Sequence, residues 1–372
     1  MKVVWAGSYE PKFSRNKKLA RLLELIPAEV TPVRVDIWAA DRVATATRGK
    51  LKTVARLCAR IPLLLLRLFR TPTPDVYLVS YPGWFDLPAV WFVARMKRRP
   101  VVFDPFISLY DTVVVDRQMF ESESLVGRVT RVVDRLALRL ADVVLADTTP
   151  HLEYFDSLVP GVMEHGGVVP VGADDTVFFP RSEPTADQKS VLFYGTFVPL
   201  QGAPTVVAAA QLLESKGVRF VMIGEGQDRP RVESQIREQR VGNVELLDAV
   251  PLVELPGHIC RAAVCLGIFG ESPKASRVVP HKVYECLAMR RPIVTRASKA
   301  IDEALSTNDV VTVPPGDPSA LADAIAALLE DPDRCSEMAH SGHERYRQAF
   351  HEAPLSEALR EVLSFVEQDV SL

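Results

Sequence analysis

The sequence has no apolar run that approaches the roughly 20 residues a membrane-spanning helix requires. Its first residues, MKVVWAGSYEP, are interrupted by polar residues too early to resemble a secretory signal peptide. We therefore expect a cytoplasmic protein.

Cysteine is scarce and shows no pattern. The five cysteines are scattered, and no Cys-x-x-Cys pair occurs. Such a sequence indicates neither a disulfide framework nor a zinc site of the usual spacing. We expect a protein of a reducing compartment with no bound metal.

Two common nucleotide-binding motifs are also missing. No Gly-x-Gly-x-x-Gly follows the first apolar run, which ends at Gly7, and none follows the later run that ends at Gly195. A Walker A pattern does not occur either. These absences disfavour dinucleotide and nucleoside triphosphate sites of the usual kind.

What the chain does contain is a repeated alternation of apolar strands and amphipathic helices. With 372 residues, 48% hydrophobic and 24% charged, it is long enough for two cores. The alternation predicts two α/β domains of Rossmann type with parallel sheets, facing a central cleft. A proline-containing polar linker near residue 180 separates them. We predict domains over 1–180 and 181–350, and a helix over 351–372 that packs back on the first domain.

The stretch 267–294 carries the most informative residues. An apolar strand is followed by a polar loop with Glu271, Lys274 and Arg277, and then by a helix that carries Lys282 and Glu285. A loop that feeds a helix N-terminus after a parallel strand attracts anions. The i, i+3 spacing of Lys282 and Glu285 gives one face a cation for phosphate and a carboxylate for sugar hydroxyls. The alternative interpretation is a surface ion pair on an ordinary helix.

Two residues of the first half are weaker candidates. Gly7 follows the first strand, where it forms a tight turn or lets a ligand approach the backbone. Asp104 ends a later strand, and an acid at that edge of a parallel sheet faces the ligand crevice or caps a turn or helix.

The first 70 residues are basic, with 15 Lys and Arg against 5 Asp and Glu. Residues 51–70 are strongly apolar, have five basic residues and no acidic one, and are interrupted by Pro62. The pattern is typical of a helix lying on an anionic membrane surface, and equally of a core helix with cationic ends.

Several strings, in the right order, resemble retaining family 4 glycosyltransferases. They are VVPVGADDTVFFP, VLFYGTFVPLQGAPTVVAAAQLL, VMIGEGQDRPRVES, PHKVYECLAMRRPIV and the C-terminal stretch from Val310 to Phe350. The resemblance covers the C-terminal half in sequence and the N-terminal half only in architecture. It implies a GT-B fold, a nucleotide-sugar donor held mainly by the C-terminal domain, and no metal or other cofactor.

The resemblance also assigns site residues. Glu285 matches the glutamate that binds the donor ribose, and the backbone near Val250 matches the base contact. Asp104 matches a first-domain polar residue near the transferred sugar. Gly195 and Gly202 match the glycine loop of the C-terminal domain.

The sequence departs from the family at two points. Arg277 replaces an earlier glutamate, for which Glu271 is a candidate substitute. Thr196 and Gln201 fall near the positions of an arginine and a lysine that clamp the diphosphate. We expect Lys274, Arg277 and Lys282 to take over that charge, with Lys282 as the main catalytic cation.

The resemblance thus implies a metal-independent retaining hexosyltransferase. It would move a hexose from a uridine- or guanosine-linked nucleotide sugar to a hydroxyl acceptor. From the basic N-terminal region we expect that acceptor to be a lipid-linked or cell-envelope glycan, met on the inner face of a membrane, and we expect no nucleic acid partner. Two alternatives remain: a nucleotide-sugar epimerase of the same fold, and a catalytically degenerate subunit that acts through a partner.

Overall fold

The structure is a computed structural model that describes residues 1–35, 50–181 and 187–369; the side chains of 50–59, 187–188 and 365–369 are not described. The side chains of Lys52 and Arg56, two of the five basic residues of 51–70, therefore lie outside what is described. Contacts divide the chain into two units. Unit 1 comprises Met1–Thr112, Phe120–Val171 and Glu352–Leu372, and unit 2 comprises Val113–Met119 and Gly172–His351.

The first half of the chain alternates strands and helices in the order β1 (Lys2–Gly7), α1 (Ser14–Leu25), β2 (Glu29–Arg34), α2 (Lys50–Arg70), β3 (Val76–Ser80), α3 (Leu87–Met96), β4 (Val101–Asp104), α4 (Leu125–Leu140), β5 (Val143–Ala146), α5 (Thr149–Leu158) and β6 (Gly167–Val168). A π-helical turn, Asp111–Asp116, lies between β4 and α4.

The second half continues with β7 (Asp187–Tyr194), α6 (Ala203–Leu212), β8 (Arg219–Ile223), α7 (Arg229–Glu238), β9 (Val244–Leu247), α8 (Leu255–Arg261), β10 (Ala262–Leu266), α9 (His281–Ala288), β11 (Ile293–Arg296), α10 (Lys299–Ala304), β12 (Val311–Val313), α11 (Pro318–Glu330), α12 (Pro332–Ala349) and α13 (Glu352–Asp369). Short 3-10 turns cover Gly83–Phe85, Pro199–Gln201, Glu214–Lys216 and Pro273–Ser276.

Each unit is built on a parallel sheet. The strand order is β2-β1-β3-β4-β5-β6 in unit 1 and β12-β11-β10-β7-β8-β9 in unit 2. The strands β3 and β4 in the middle of the first sheet are mostly apolar and buried at every position, as parallel strands covered by helices require. This confirms the predicted α/β class.

The helix α13 belongs to unit 1, where it packs against α1. Leu355, Leu359 and Leu363 of α13 are fully buried in the core that β1 and α1 also line. The division before unit 2 falls between Val171 and Gly172, so the predicted boundary at residue 180 lies inside unit 2.

The helix α2 is continuous through Pro62, which we had expected to interrupt it. Proline removes one backbone donor and crowds the preceding turn, and this cost is bearable where water can reach the freed carbonyl. Pro62 is itself exposed. Among the helices described, none is long and apolar enough to cross a membrane.

Candidate functional site

The strand order of unit 2 changes direction at β7. The chain leaves β7 for β8 and β9 on one side and returns to β10 on the other. Phe193 of β7 pairs with Leu266 of β10, so both strands end together. In open α/β sheets, the carboxyl edge at such a reversal is where ligands bind.

Glycines let the loops after β7 and β10 touch. Gly202 has φ +67°, and a Cβ placed there would lie 2.5 Å from the carbonyl carbon of Phe269. A Cβ on Gly270 would lie 2.3 Å from the carbonyl oxygen of Pro199. Side chains at these two positions would force the loops apart.

Gly195 differs from these two, because it stands over polar side chains. It has φ +136°, and a Cβ there would lie 3.4 Å from Gln201 Oε1 and 3.6 Å from Lys282 Nζ. Gln201 Oε1 is buried and has no hydrogen-bond partner among the residues described. The glycine therefore exposes backbone next to an amide and an ammonium group.

Lys282 is buried, with only 4% of its surface exposed. Its Nζ donates a hydrogen bond to the carbonyl of Gly267 at 3.0 Å and lies 4.0 Å from the centroid of the Phe193 ring. Burial disfavours the ammonium form and lowers the pKa of Lys282 to about 7. An anion arriving beside Nζ would favour the protonated form again.

Glu285 lies one turn further along α9 and accepts a hydrogen bond from the Tyr194 hydroxyl at 2.7 Å. Burial raises the pKa of Glu285 to about 7, and the Tyr194 hydrogen bond and the Lys282 charge oppose that rise. The interpretation of Lys282 and Glu285 as a surface ion pair is wrong, because Lys282 is buried and directed at the end of β10.

The remaining predicted residues of unit 2 lie around this centre. Lys274 is buried within the turn Pro273–Ser276, and Arg277 follows it half-buried. Thr196 is exposed directly after Gly195, and Val250 is half-buried in the loop between β9 and α8. Their predicted roles stay predictions.

Glu271 is exposed, and its carboxyl group packs against Gly316, where a Cβ would lie 2.7 Å from Glu271 Cδ. Its charge favours the charged form of Arg296, whose pKa burial lowers. The sequence analysis did not single out Arg296, which ends β11 and donates to the carbonyl of Gly270. The sequence signal that could have identified Arg296 is its position at the end of the apolar run PIVTR.

Gly7 and Asp104 belong to unit 1. Gly7 has φ +121° and lies against Asp86, whose Oδ2 accepts hydrogen bonds from Ser8 N at 2.7 Å and Ser8 Oγ at 2.6 Å. The Gly7 turn is therefore closed by a carboxylate of the protein itself.

Asp104 is fully buried, and its two oxygens accept hydrogen bonds from Arg15 at 2.9 and 3.2 Å. Arg15 also donates to the carbonyl of Val169 at 2.7 Å. The pair ties α1 to the ends of β4 and β6. Both oxygens of Asp104 already accept hydrogen bonds from the protein. Its contact with a sugar stays a prediction.

The segment that carries these residues is similar in sequence to known proteins. Residues 188–331 match the family model described as Glycosyl transferases group 1. The match covers 144 of the 372 residues, and over this part the chain is similar to that glycosyltransferase family. An alpha-D-kanosaminyltransferase from Streptomyces kanamyceticus is 28% identical over 159 residues, which span 42% of this chain and 40% of that protein.

Solved structures show the same fold over both units. A sucrose-phosphate synthase from Thermosynechococcus elongatus aligns with TM-score 0.76 and 16% identity, covering 99% of each chain. Anabaena HepE in complex with UDP-glucose aligns with TM-score 0.68 and 16% identity, covering 98% of this chain and 100% of that one. The resemblance and the GT-B fold predicted from the sequence are confirmed.

Proposed function

We propose that this protein is a retaining hexosyltransferase that moves a sugar from a nucleotide sugar to a hydroxyl acceptor. The observation that carries the proposal is the position of Lys282 Nζ and Glu285 beside Gly195, where β7 and β10 end. All three residues lie within the segment that matches the family model.

The diphosphate of the donor is assigned to the Gly195 turn. Without a Cβ, Gly195 leaves the backbone open to a phosphate, and Lys282 Nζ lies within 4 Å of the Cβ position. As the bond to the sugar breaks, negative charge grows on the leaving diphosphate. A preorganised cation there stabilises the transition state more than the ground state.

The ribose is assigned to Glu285. A carboxylate accepts hydrogen bonds from vicinal hydroxyls, and the Tyr194 hydroxyl holds the Glu285 side chain in place. Anabaena HepE has been solved with UDP-glucose. We propose a uridine-linked donor for this chain as well, with unit 1 serving the acceptor and no metal or other cofactor needed.

A panel of nucleotide sugars tests the function directly. A ligand that binds only the folded protein raises its melting temperature. The proposal predicts a rise with at least one UDP- or GDP-sugar, and transfer to an added acceptor. Conversion of free UDP-sugar without acceptor would instead identify an epimerase. Failure to bind any nucleotide sugar would favour the alternative of a catalytically degenerate subunit that acts through a partner.

Glu285→Gln should raise the donor KM about tenfold or more, because a charge-assisted hydrogen bond contributes about 1.5–3 kcal/mol. Below pH 7, where Lys282 is already mostly protonated, donor affinity of the wild type should also weaken as pH falls from 7 to 6, because the Glu285 carboxylate is then protonated. The Gln variant should lack that acid limb.

The control for this experiment is Glu330→Gln, which removes an exposed carboxylate of the same unit. Steady-state kinetics across the pH range compare the three proteins. A folded Glu285→Gln enzyme with unchanged donor KM would remove Glu285 from the site.

We further propose that unit 1 works on an anionic membrane surface. Helices α2, α3 and α4 pack side by side and expose large apolar side chains, here named the apolar face. Its members are Leu63, Leu66, Phe69, Phe92, Met96, Leu125, Val129, Val132 and Leu136. Exposed arginines lie on the same helices, among them Arg70, Arg128 and Arg139. A surface that combines nine exposed apolar side chains with exposed arginines is suited to the boundary between anionic lipid headgroups and acyl chains.

Leu66→Glu and Val132→Glu should each weaken binding to vesicles of phosphatidylcholine with anionic lipid about tenfold or more. Burying a leucine or valine contributes about 1.5–3 kcal/mol, which the charged side chain forfeits. Leu212→Glu, in unit 2, is the control for an equally exposed leucine. Cosedimentation absent in the wild type, or lost equally in the control, would contradict the membrane proposal.

A further inference from the structure

We propose that a basic cavity on the outer edge of unit 1 binds a phosphate group. The cavity has a volume of about 710 Å³ and lies between edge strand β2, the C-terminal turn of α2 and the loop after β1. Arg34, Arg67 and Arg70 line it together with Tyr9, and none of its described lining residues is acidic. This basic cavity is separate from the Lys282 centre of unit 2, and the inference does not rest on the proposed transfer reaction.

The walls of the basic cavity are set by contacts of their own. The Tyr9 ring is buried and stacks on Trp5, with 4.3 Å between ring centroids and 7° between planes. Arg67 donates a hydrogen bond to the backbone carbonyl of Arg34, which fixes the end of α2 against β2. A ligand would therefore meet an arrangement already formed, and little ordering would be lost on binding.

The chemistry of the lining selects a phosphate. Guanidinium groups offer planar pairs of N–H donors that match phosphate oxygens, and three arginines line this cavity. Burial raises the pKa of Tyr9 above its ordinary value, so its hydroxyl stays neutral and can donate a further hydrogen bond. Three positive charges suit the two negative charges of a phosphate monoester better than a single carboxylate.

The position of the basic cavity leaves two sources for the phosphate. Leu66 and Phe69, on the same helix as Arg67 and Arg70, are exposed. A phosphomonoester lipid could place its headgroup in the cavity and its chains along this helix. A soluble phosphate compound presents the same group without chains.

Isothermal titration calorimetry of the full-length protein tests the inference with two probes. These are inorganic phosphate and dihexanoyl phosphatidic acid, used below its micelle concentration. We expect the wild type to bind at least the second probe. Arg34→Gln with Arg70→Gln should weaken that binding at least tenfold, while the circular dichroism spectrum and the urea unfolding midpoint stay unchanged and report an intact fold.

The control pair is Arg237→Gln with Arg347→Gln, which removes the same charge from unit 2. Equal affinity for both probes would indicate a soluble phosphate ligand. Tighter binding of the lipid, together with weaker binding of the cavity variant to phosphatidic acid vesicles, would indicate a headgroup. No binding of either probe, unchanged affinity in the cavity variant, or an equal loss in the control pair would overturn the inference.

Discussion

Replacing Lys282 with Met should slow sugar transfer about a hundredfold or more and leave the folded protein more stable. The buried ammonium group is the cation we place against the leaving diphosphate. Removing one preorganised electrostatic partner typically costs about 10²–10³ in kcat. We expect kcat to fall about 10²-fold or more in Lys282→Met, and added magnesium not to restore it.

The gain in stability follows from the sign of the pKa shift. The pKa of Lys282 falls from 10.5 to about 7 on folding. At pH values between 7 and 10.5, the lysine must therefore release a proton when the protein folds. Lysine therefore costs stability increasingly as pH falls from 10.5 towards 7, up to about 5 kcal/mol below 7. Methionine removes this cost and loses one hydrogen bond, so we expect the free energy of unfolding at pH 7 to rise by about 1–3 kcal/mol.

Urea unfolding and steady-state kinetics on the same preparations check both halves of this prediction. Lys274→Ala serves as the comparison and should lower kcat less. Full turnover of Lys282→Met with loss in Arg277→Ala would move the phosphate contact to the loop. Full turnover in both would contradict the assignment of these cations to the diphosphate.

Arg15→Met should destabilise unit 1 by about 3–5 kcal/mol, because it leaves the Asp104 carboxylate buried without its cation. Burial already raises the pKa of Asp104, and the Arg15 charge opposes that rise. Without Arg15, the carboxyl group should take up a proton or recruit water. The carbonyl of Val169 would also lose its donor.

The double variant Arg15→Met with Asp104→Leu should recover most of that loss, since an apolar pair can replace a buried ion pair at little cost. Arg360→Met is the control, because Arg360 pairs with Glu357 at the exposed surface. Urea unfolding of the four proteins measures the differences. An Arg15→Met variant as stable as the control would contradict the structural role of the pair.

The strands and helices of both units were predictable because apolar periodicity is local. The runs before Gly195 and Gly270 could be recognised as buried parallel strands without knowing their neighbours. The helix α9, with Lys282 and Glu285 on one face, followed from spacing in the same way. The helix α10 and the strand β12 were not predicted, since each is short and its pattern is weak.

Contacts between distant residues could not be predicted. Arg15 and Asp104 are 89 positions apart, and Tyr194 and Glu285 are 91 apart. Their pairing depends on the order of the strands in the sheet, which local sequence patterns do not determine. The apolar spacing of α4 predicted a helix, and only the structure shows that Val129, Val132 and Leu136 are exposed.

The most direct test of the central claim is the number of protons taken up when UDP binds at pH 8. It is measured by titration calorimetry in two buffers of different ionisation enthalpy. Lys282, with a pKa of about 7, is mostly neutral there in the free protein, and a bound diphosphate should restore its proton. The account predicts uptake of about one proton by the wild type and none by Lys282→Met at saturating UDP. Absence of UDP binding, or equal uptake in the two proteins, would contradict it.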